Sequence, residues 1–142
     1  MATYTKYENF IENLINKVLD AFGTTEVWKA VIHTDAPTVA TDNVLGDLTQ
    51  ISGNNGYTTD GNDITFNSTR SGGTVTATAT DVVWTASGGN LGSSTTGRYV
   101  SYYDSTPATK YLAASWDYGS TFTVATGETF TLDFGASLWT MA

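Results

Sequence analysis

The sequence lacks several residue types that catalysis and cross-linking commonly need. It contains no cysteine and a single histidine, His33, among 142 residues. Without cysteine the chain forms no disulfide and no thiolate metal site. Six lysines and arginines stand against 14 acidic residues, which gives a formal net charge of −8. Because such a chain repels phosphate backbones, we expect no nucleic-acid partner.

Long hydrophobic runs are missing as well. The longest apolar stretches are far shorter than a membrane-spanning helix requires. The first residues carry neither the basic segment nor the continuous apolar segment of a secretory signal. We therefore expect a soluble protein that is made in the cytoplasm and has no membrane partner.

Threonine in alternating patterns is what the sequence has in quantity. Residues 74–80 and 129–134 alternate polar and apolar side chains, which is the period of a half-buried strand. Glycine turns join such segments through residues 64–134, and a turn-rich connection at 34–63 precedes them. The sequence predicts a single, mainly β domain over residues 1–142. We expect an antiparallel β-sandwich or a jelly-roll-like barrel, with a β meander core at 64–134.

One amphipathic α-helix is predicted at the N-terminus, over residues 4–23. Its apolar positions recur at spacings of three and four residues: Tyr7, Phe10, Ile11, Leu14, Ile15, Val18 and Phe22. The spacing from Thr5 to Glu8 fits a capping box, and Gly23 fits a C-terminal cap. Most helices of this kind cover their own domain. The alternative is that Phe10 and Leu14 contact a neighbouring subunit.

The apolar positions also predict a register for strands 98–103 and 111–118. The pairing that keeps apolar side chains on one face sets two residues against three: Val100 and Tyr102 against Leu112, Ala114 and Trp116. This register places Arg98 near Trp116 for a cation–π contact. Tyr99 and Tyr103 then point to the opposite face. With Tyr111 close by, we expect this second aromatic face to meet a partner or a sugar.

The search for catalytic and metal-binding residues returns little. His33 ends an apolar run and has no nucleophile-elbow motif to serve, so an ordinary edge or loop histidine is expected. Asp60, Asn62 and Asp63 offer oxygen ligands of the kind that calcium takes, but they lack the length and the terminal glutamate of an EF-hand loop. A plain Asp-Gly turn is the preferred interpretation. We therefore predict no catalytic residues, no cofactor and no metal: the protein is not expected to be an enzyme.

Several segments resemble a known family. They are Tyr7-Glu8-Asn9-Phe10, the stretch 40–57, Arg98-Tyr99-Val100 with Tyr103-Asp104, Trp116-Asp117-Tyr118-Gly119, and the stretch 126–134. Together they make the chain similar to small virion structural proteins of tailed bacteriophages and prophages. The resemblance covers nearly the whole chain, but its motifs are structural and none is a catalytic signature. The short tail after Phe134 departs from the family pattern.

The resemblance implies a capsid decoration, or cement, protein on the outer surface of the virion head. Its expected partners are the major capsid protein and further copies of itself, with a trimer favoured. The acidic charge favours an exterior position, away from packaged DNA. Two alternatives stay open: a tail, collar or fibre-associated structural subunit, and a carbohydrate-binding virion module.

Overall fold

The computed structural model describes residues 2–16, 18–19, 25–93 and 96–141. In chain order its elements are β1 (Thr3–Lys6), α1 (Asn9–Ile15), β2 (Trp28–His33), a 3-10 turn (Leu45–Asp47), β3 (Asn62–Ile64), β4 (Phe66–Ser71), β5 (Thr74–Ala79), β6 (Val82–Thr85), β7 (Gly97–Asp104), β8 (Leu112–Phe122), β9 (Thr129–Leu132) and β10 (Trp139–Met141). Over the described residues the protein is mainly β, as the sequence predicts, with one helix that is short.

The strands form three antiparallel sheets. The largest has five strands in the order β1-β8-β7-β2-β3, the second has the order β10-β5-β4, and the third pairs β6 with β9. Each sheet keeps two edge strands, so the described strands do not close into a barrel. The connectivity also differs from a meander over 64–134. Strands β2 and β7, and strands β6 and β9, pair across long stretches of chain because their apolar faces are buried together.

The main hydrophobic core covers one face of the five-stranded sheet. That face contributes Trp28, Ala30, Ile32, Val100, Tyr102, Ala114 and Trp116, and residues from the smaller sheets and their flanks join the same cluster, among them Val82, Trp84, Leu132 and Phe134. Aromatic rings dominate it: Tyr102 and Trp116 lie 5.6 Å apart between ring centroids, and Trp116 and Phe134 also 5.6 Å. Such edge and tilted contacts add to the stabilisation that burial of the rings provides.

The second face of the same sheet is buried too. Leu45 and Leu48 pack with Val31, Tyr103 and other residues in a smaller core cluster. These leucines belong to the predicted turn-rich connection at 34–63, whose only regular elements before β3 are the 3-10 turn and an isolated bridge at each of two residues, Val44 and Gln50. The connection therefore acts as a cover that lies over the sheet.

The N-terminal helix is much shorter than predicted. Residues 3–6 form strand β1, in which Thr5 pairs with Ser115, so the proposed capping box is wrong. The helix begins at Asn9, and Glu8 makes no capping hydrogen bond with its side chain. Pairing with β8 overrides the weak helical preference of this threonine-containing segment. Phe22 and Gly23 lie outside the described residues.

The predicted register of β7 and β8 is confirmed at its centre and fails at both ends. Val100 lies opposite Trp116, and Tyr102 opposite Ala114, as expected. Irregularities between Tyr102 and Tyr103 and between Gly97 and Tyr99 shift the remaining pairs. Because a one-residue shift moves a side chain to the other face, Leu112 lies in the smaller cluster with Tyr103.

The predicted contact of Arg98 is wrong for the same reason. The guanidinium does not reach Trp116. It lies over the ring of Tyr99, 5.0 Å from the centroid, and forms a bidentate ion pair with Asp117 at 2.9 Å for each hydrogen bond.

Candidate functional site

A chain of hydrogen-bonded polar side chains, three of them buried, crosses the second face of the five-stranded sheet. The Tyr7 hydroxyl lies 3.1 Å from Ser101 Oγ, which lies 2.9 Å from His33 Nε2. His33 Nδ1 lies 3.0 Å from the backbone oxygen of Asp35 and 3.3 Å from its carboxylate. We call these four residues, together with the neighbouring Ser115, the polar layer.

Strand register brings the polar layer together. Ser101 on β7 lies opposite Val31 on β2 and opposite Ser115 on β8, and His33 lies opposite Tyr99. Residues directly opposite one another in antiparallel strands share a face, so the polar side chains converge on the side that the connection covers. Asp35 follows β2 and is tied to the connection, because the Thr49 amide donates to its carboxylate at 2.8 Å.

The partners of His33 assign its tautomer. A backbone carbonyl can only accept, so Nδ1 carries the proton and donates to Asp35. Nε2 then accepts from the Ser101 hydroxyl, which in turn accepts from Tyr7. Burial lowers the pKa of His33, which favours this neutral form, although Asp35 acts in the opposite direction. Burial likewise raises the pKa of Tyr7 to about 12.

Ser101, His33 and Asp35 therefore share the connectivity of a serine-hydrolase triad. His33 and Ser101 are, however, both 0% exposed. A nucleophile must meet the substrate carbonyl, and Ser101 Oγ is enclosed by Tyr7 and His33. In this conformation the three residues are a satisfied structural network. The expectation of an edge or loop histidine is wrong, because β2 is an inner strand and the connection covers His33.

A small pocket adjoins the polar layer where β1 and β8 meet the connection. Its volume is about 220 Å³, and it is lined by Thr5, Ala36, Pro37, Val39, Tyr99, Ser115 and Asp117. Ser115 is 1% exposed, and its Oγ forms no hydrogen bond of ordinary geometry, although it lies close enough to the Tyr7 hydroxyl to lower the pKa of Tyr7. We call this cavity the Ser115 pocket. No sequence motif predicts this pocket or the position of Ser115. One wall of the pocket is Thr5 on β1, a segment that the sequence predicts to be helical.

The expected aromatic interface is largely buried. Tyr103 is 0% exposed, and its hydroxyl donates to the backbone oxygen of Asp60. The ring of Tyr99 stacks on that of His33, with centroids 5.5 Å apart, and the guanidinium of Arg98 lies 5.0 Å from its centroid. Tyr111 is half-buried and packs against the main core. The expectation of a free face at Tyr99 and Tyr103 is wrong, because the 34–63 connection occupies it.

The two predicted helix contacts are also directed inward. Phe10 is 2% exposed and packs in the main core, with its ring 6.4 Å from that of Trp139. Leu14 is half-buried against the same cluster. Phe10 therefore holds α1 onto its own domain, which was the preferred interpretation for this helix.

The candidate calcium ligands are engaged elsewhere. Asp60 pairs with Lys110 at 2.7 Å, and Asp63 pairs with Lys29 at 2.7 Å. The Asn62 side chain donates to the backbone oxygen of Val83. The three side chains thus bind three different partners. No group of three metal-binding side chains occurs among the residues that the structure describes. Asp60 and Gly61 both have positive φ, as an Asp-Gly turn requires.

The hairpin of β4 and β5 is an exposed region without acidic residues. Residues 67–73 are all exposed, and β4 is an edge strand. None of the 14 acidic residues falls within residues 64–80, whose one charge is Arg70. The four residues of strand β1, at an edge of the five-stranded sheet, are also exposed, and none of them is acidic. The edge strands β4 and β1 are thus both acid-free in a strongly acidic chain, whereas β3, the other edge of the five-stranded sheet, carries the exposed Asp63.

Comparison with known proteins adds no relative. No protein-family model matches the chain, and searches of curated proteins and of solved structures find no match either. Across the described residues, no helix has the length and apolarity to span a membrane.

Proposed function

We propose that the protein is a non-enzymatic structural subunit of a bacteriophage virion, a decoration protein that binds the outer shell of the head. The observation that carries this proposal is the exposed, acid-free edge strand β4. The resemblance of the sequence to small phage virion proteins supplies the virion setting. The major capsid protein and further copies of the same chain are the proposed partners, with a trimer favoured.

An exposed edge strand offers unpaired N–H and C=O groups to another chain. Proteins usually protect such edges with proline, charged residues or bulges. Strand β4 has no proline, pairs with β5 without irregularity over Phe66–Ser71 and carries one charge, Arg70. It is therefore suited to extend a partner's sheet by strand addition, a common mode of recognition.

A rigid domain suits this role. We infer that the three sheets pack as a sandwich, because residues from the inner face of the large sheet and from β6 and β9 belong to one core cluster. With its second face covered by the 34–63 connection, the domain presents edges and the hairpin as its main sites for partners. The net charge of −8 is compatible with a position outside the shell.

A tail, collar or fibre-associated subunit is the alternative within the same class, since it would use the same edges. Copy number in the particle distinguishes the two. A carbohydrate-binding virion module that stacks sugars on Tyr99 and Tyr103 is disfavoured, because those rings are buried.

A pair of substitutions at one position tests the docking role of β4. Counting outward from the closing pair Ser71–Thr74, alternation places the Ser68 N–H on the outer side of the hairpin. Ser68→Pro removes that donor and leaves the ladder to β5 intact, whereas Ser68→Ala changes the side chain alone. We expect co-sedimentation with stripped capsids to be lost in Ser68→Pro and retained in Ser68→Ala, at equal thermal midpoints. Equal binding of both variants would contradict docking through β4, and no binding by the parent protein would contradict the decoration role.

A further inference from the structure

We propose that the outward side of α1 is a self-association surface, through which copies of this chain pack on one another around a rotation axis. The surface, which we call the α1 face, is formed by Ile11, Ile15 and Val18. The inference rests on the proposed function in one respect, because further copies of the chain are partners proposed there. It leaves strand β4 free to dock on the shell.

Helix α1 is apolar over a wider arc than its own domain covers. Phe10 and Leu14, one turn apart, face inward and pack with the main core. Ile11 and Ile15, also one turn apart, lie on the outward side, and Ile15 is 75% exposed. A helix that only covers its own domain has polar residues on its outer side, so two exposed isoleucines at this spacing indicate a second contact.

The chain that follows α1 continues the exposed apolar surface. The backbone N–H groups of Val18 and Leu19 both donate to the backbone oxygen of Asn13, at 2.9 and 3.2 Å. Leu19 is buried in the main core, whereas Val18 is exposed. The buried leucine therefore anchors this turn and leaves the valine outward, three residues after Ile15.

The elements beside α1 add to this surface. Seven large hydrophobic side chains are exposed in the described part of the chain, and five of them belong to β1, to residues 11–18 and to β10: Tyr4, Ile11, Ile15, Val18 and Met141. Strand β1 leads into α1, and the ring of Phe10 on α1 lies 6.4 Å from that of Trp139 on β10. Because most of the exposed apolar side chains lie in these elements, the apolar match for the α1 face on a second copy is the α1 face itself. A surface that packs on itself around an axis gives a closed oligomer.

Charge also favours a second copy as the occupant. Residues 3–18 contain two lysines and two glutamates, and β10 contains no charged residue, so this region is neutral in a chain of net charge −8. Two such chains repel one another, and the repulsion is weak where neutral faces meet. Lys6, Glu8 and Glu12 are all exposed, so the lysine of one copy can pair with a glutamate of the next.

Sedimentation equilibrium over a concentration series tests the α1 face. Five apolar side chains form a smaller contact than the roughly 20–30 residues per side of a stable interface, so we expect the parent to associate more fully as its concentration rises. Ile15→Glu should weaken association by roughly tenfold or more, because like charges would meet around the axis. Val83→Glu makes the same change in charge at an exposed valine that lies beside β3, and it should associate like the parent.

Cysteine cross-linking gives a second readout. The chain contains no cysteine, so Ile15→Cys supplies a single thiol. Under mild oxidation we expect Ile15→Cys to form disulfide-linked dimers at concentrations at which Val83→Cys does not. The circular dichroism spectrum of Ile15→Glu should match that of the parent, because the side chain it replaces is largely exposed.

A parent protein that is monomeric at every concentration would overturn the inference, and so would equal association of Ile15→Glu and the parent. Loss of co-sedimentation with capsids in Ile15→Glu, without any change in its mass, would assign the α1 face to the shell instead. The proposed function fails separately. A parent that self-associates but does not sediment with stripped capsids keeps the α1 face and contradicts the decoration role.

Discussion

Arg98 and Asp117 are joined by two parallel hydrogen bonds, each 2.9 Å long, at the side of β7 and β8 where the strand register shifts. The ion pair raises the pKa of Arg98 and lowers that of Asp117. The guanidinium also lies over Tyr99, whose other neighbour is His33. One surface residue thus connects the rim of the Ser115 pocket to the polar layer.

Replacement of Arg98 tests that connection. Arg98→Ala should lower the denaturant midpoint modestly, because both partners are about a third exposed and water screens the pair. Arg98→Lys should recover part of the loss, since lysine keeps the charge but not the planar, bidentate geometry. An unchanged midpoint in Arg98→Ala would mean that neither the ion pair with Asp117 nor the contact with Tyr99 stabilises the fold.

Acid should weaken the protein through His33. Its folded-state pKa lies below the ordinary 6.5, so below pH 6.5 the unfolded chain binds a proton that the folded chain resists. The stability that the neutral ring contributes is present above pH 6.5 and is lost as the pH falls. We expect the thermal midpoint of the parent to drop from pH 7.5 to 5.5, and that of His33→Gln to drop less. Parallel curves would contradict the neutral, buried histidine.

Asp104 should make the protein more stable, not less, as the pH falls. Burial, helped by the nearby Glu26, raises the pKa of its carboxyl to about 6. The folded state therefore holds a proton that the unfolded chain releases above its ordinary 3.8, and the resulting stability is present below pH 3.8 and lost as the pH rises through about 6. Asp104→Asn should stabilise the protein at pH 7 by roughly 1–2 kcal/mol, allowing for partial screening. Denaturant unfolding at pH 4 and 7 checks this: a loss of stability at pH 7 would contradict it.

Combining the two variants separates their effects. In the parent, protonation of Asp104 stabilises the fold as the pH falls and offsets part of the stability lost through His33. Asp104→Asn removes this offset, so the free energy of unfolding should fall more steeply below pH 6.5 in that variant than in the parent. A shallower loss in that background would show that some other group controls the acid response.

Chelation should leave the thermal midpoint unchanged. Asp60 and Asp63 are each neutralised by a lysine at 2.7 Å, so neither needs a cation. Melting curves with and without EDTA provide the measurement, with a calcium-binding protein as the positive control. A fall of several degrees that calcium reverses would establish a metal site at Asp60, Asn62 and Asp63.

The sequence predicted the β class and the centre of one hairpin because those follow from local alternation. The pairs Val100–Trp116 and Tyr102–Ala114 are examples. The irregularity beside Tyr103 left no mark in the polar and apolar pattern, so Leu112 was assigned to the wrong face. Strand β1 was missed because its partner, β8, lies more than a hundred residues away.

The candidate site could not be predicted for a related reason. Ser101, His33 and Ser115 come from three different strands and meet through long-range register. Burial of His33 depends on the 34–63 connection, which resembles a solvent-exposed linker in composition. Its Leu45 and Leu48, spaced to face the sheet, were the signal that the connection is a cover.

The copy number of the protein in purified virions tests the central proposal most directly. Quantitative mass spectrometry against the major capsid protein would give the ratio. A decoration protein predicts a number that scales with the capsid lattice, one copy or more for each position of a symmetry class, and particles stripped of it should be less resistant to heat. A handful of copies would contradict the head position and favour the tail alternative, and absence from the particle would contradict a structural role in the virion.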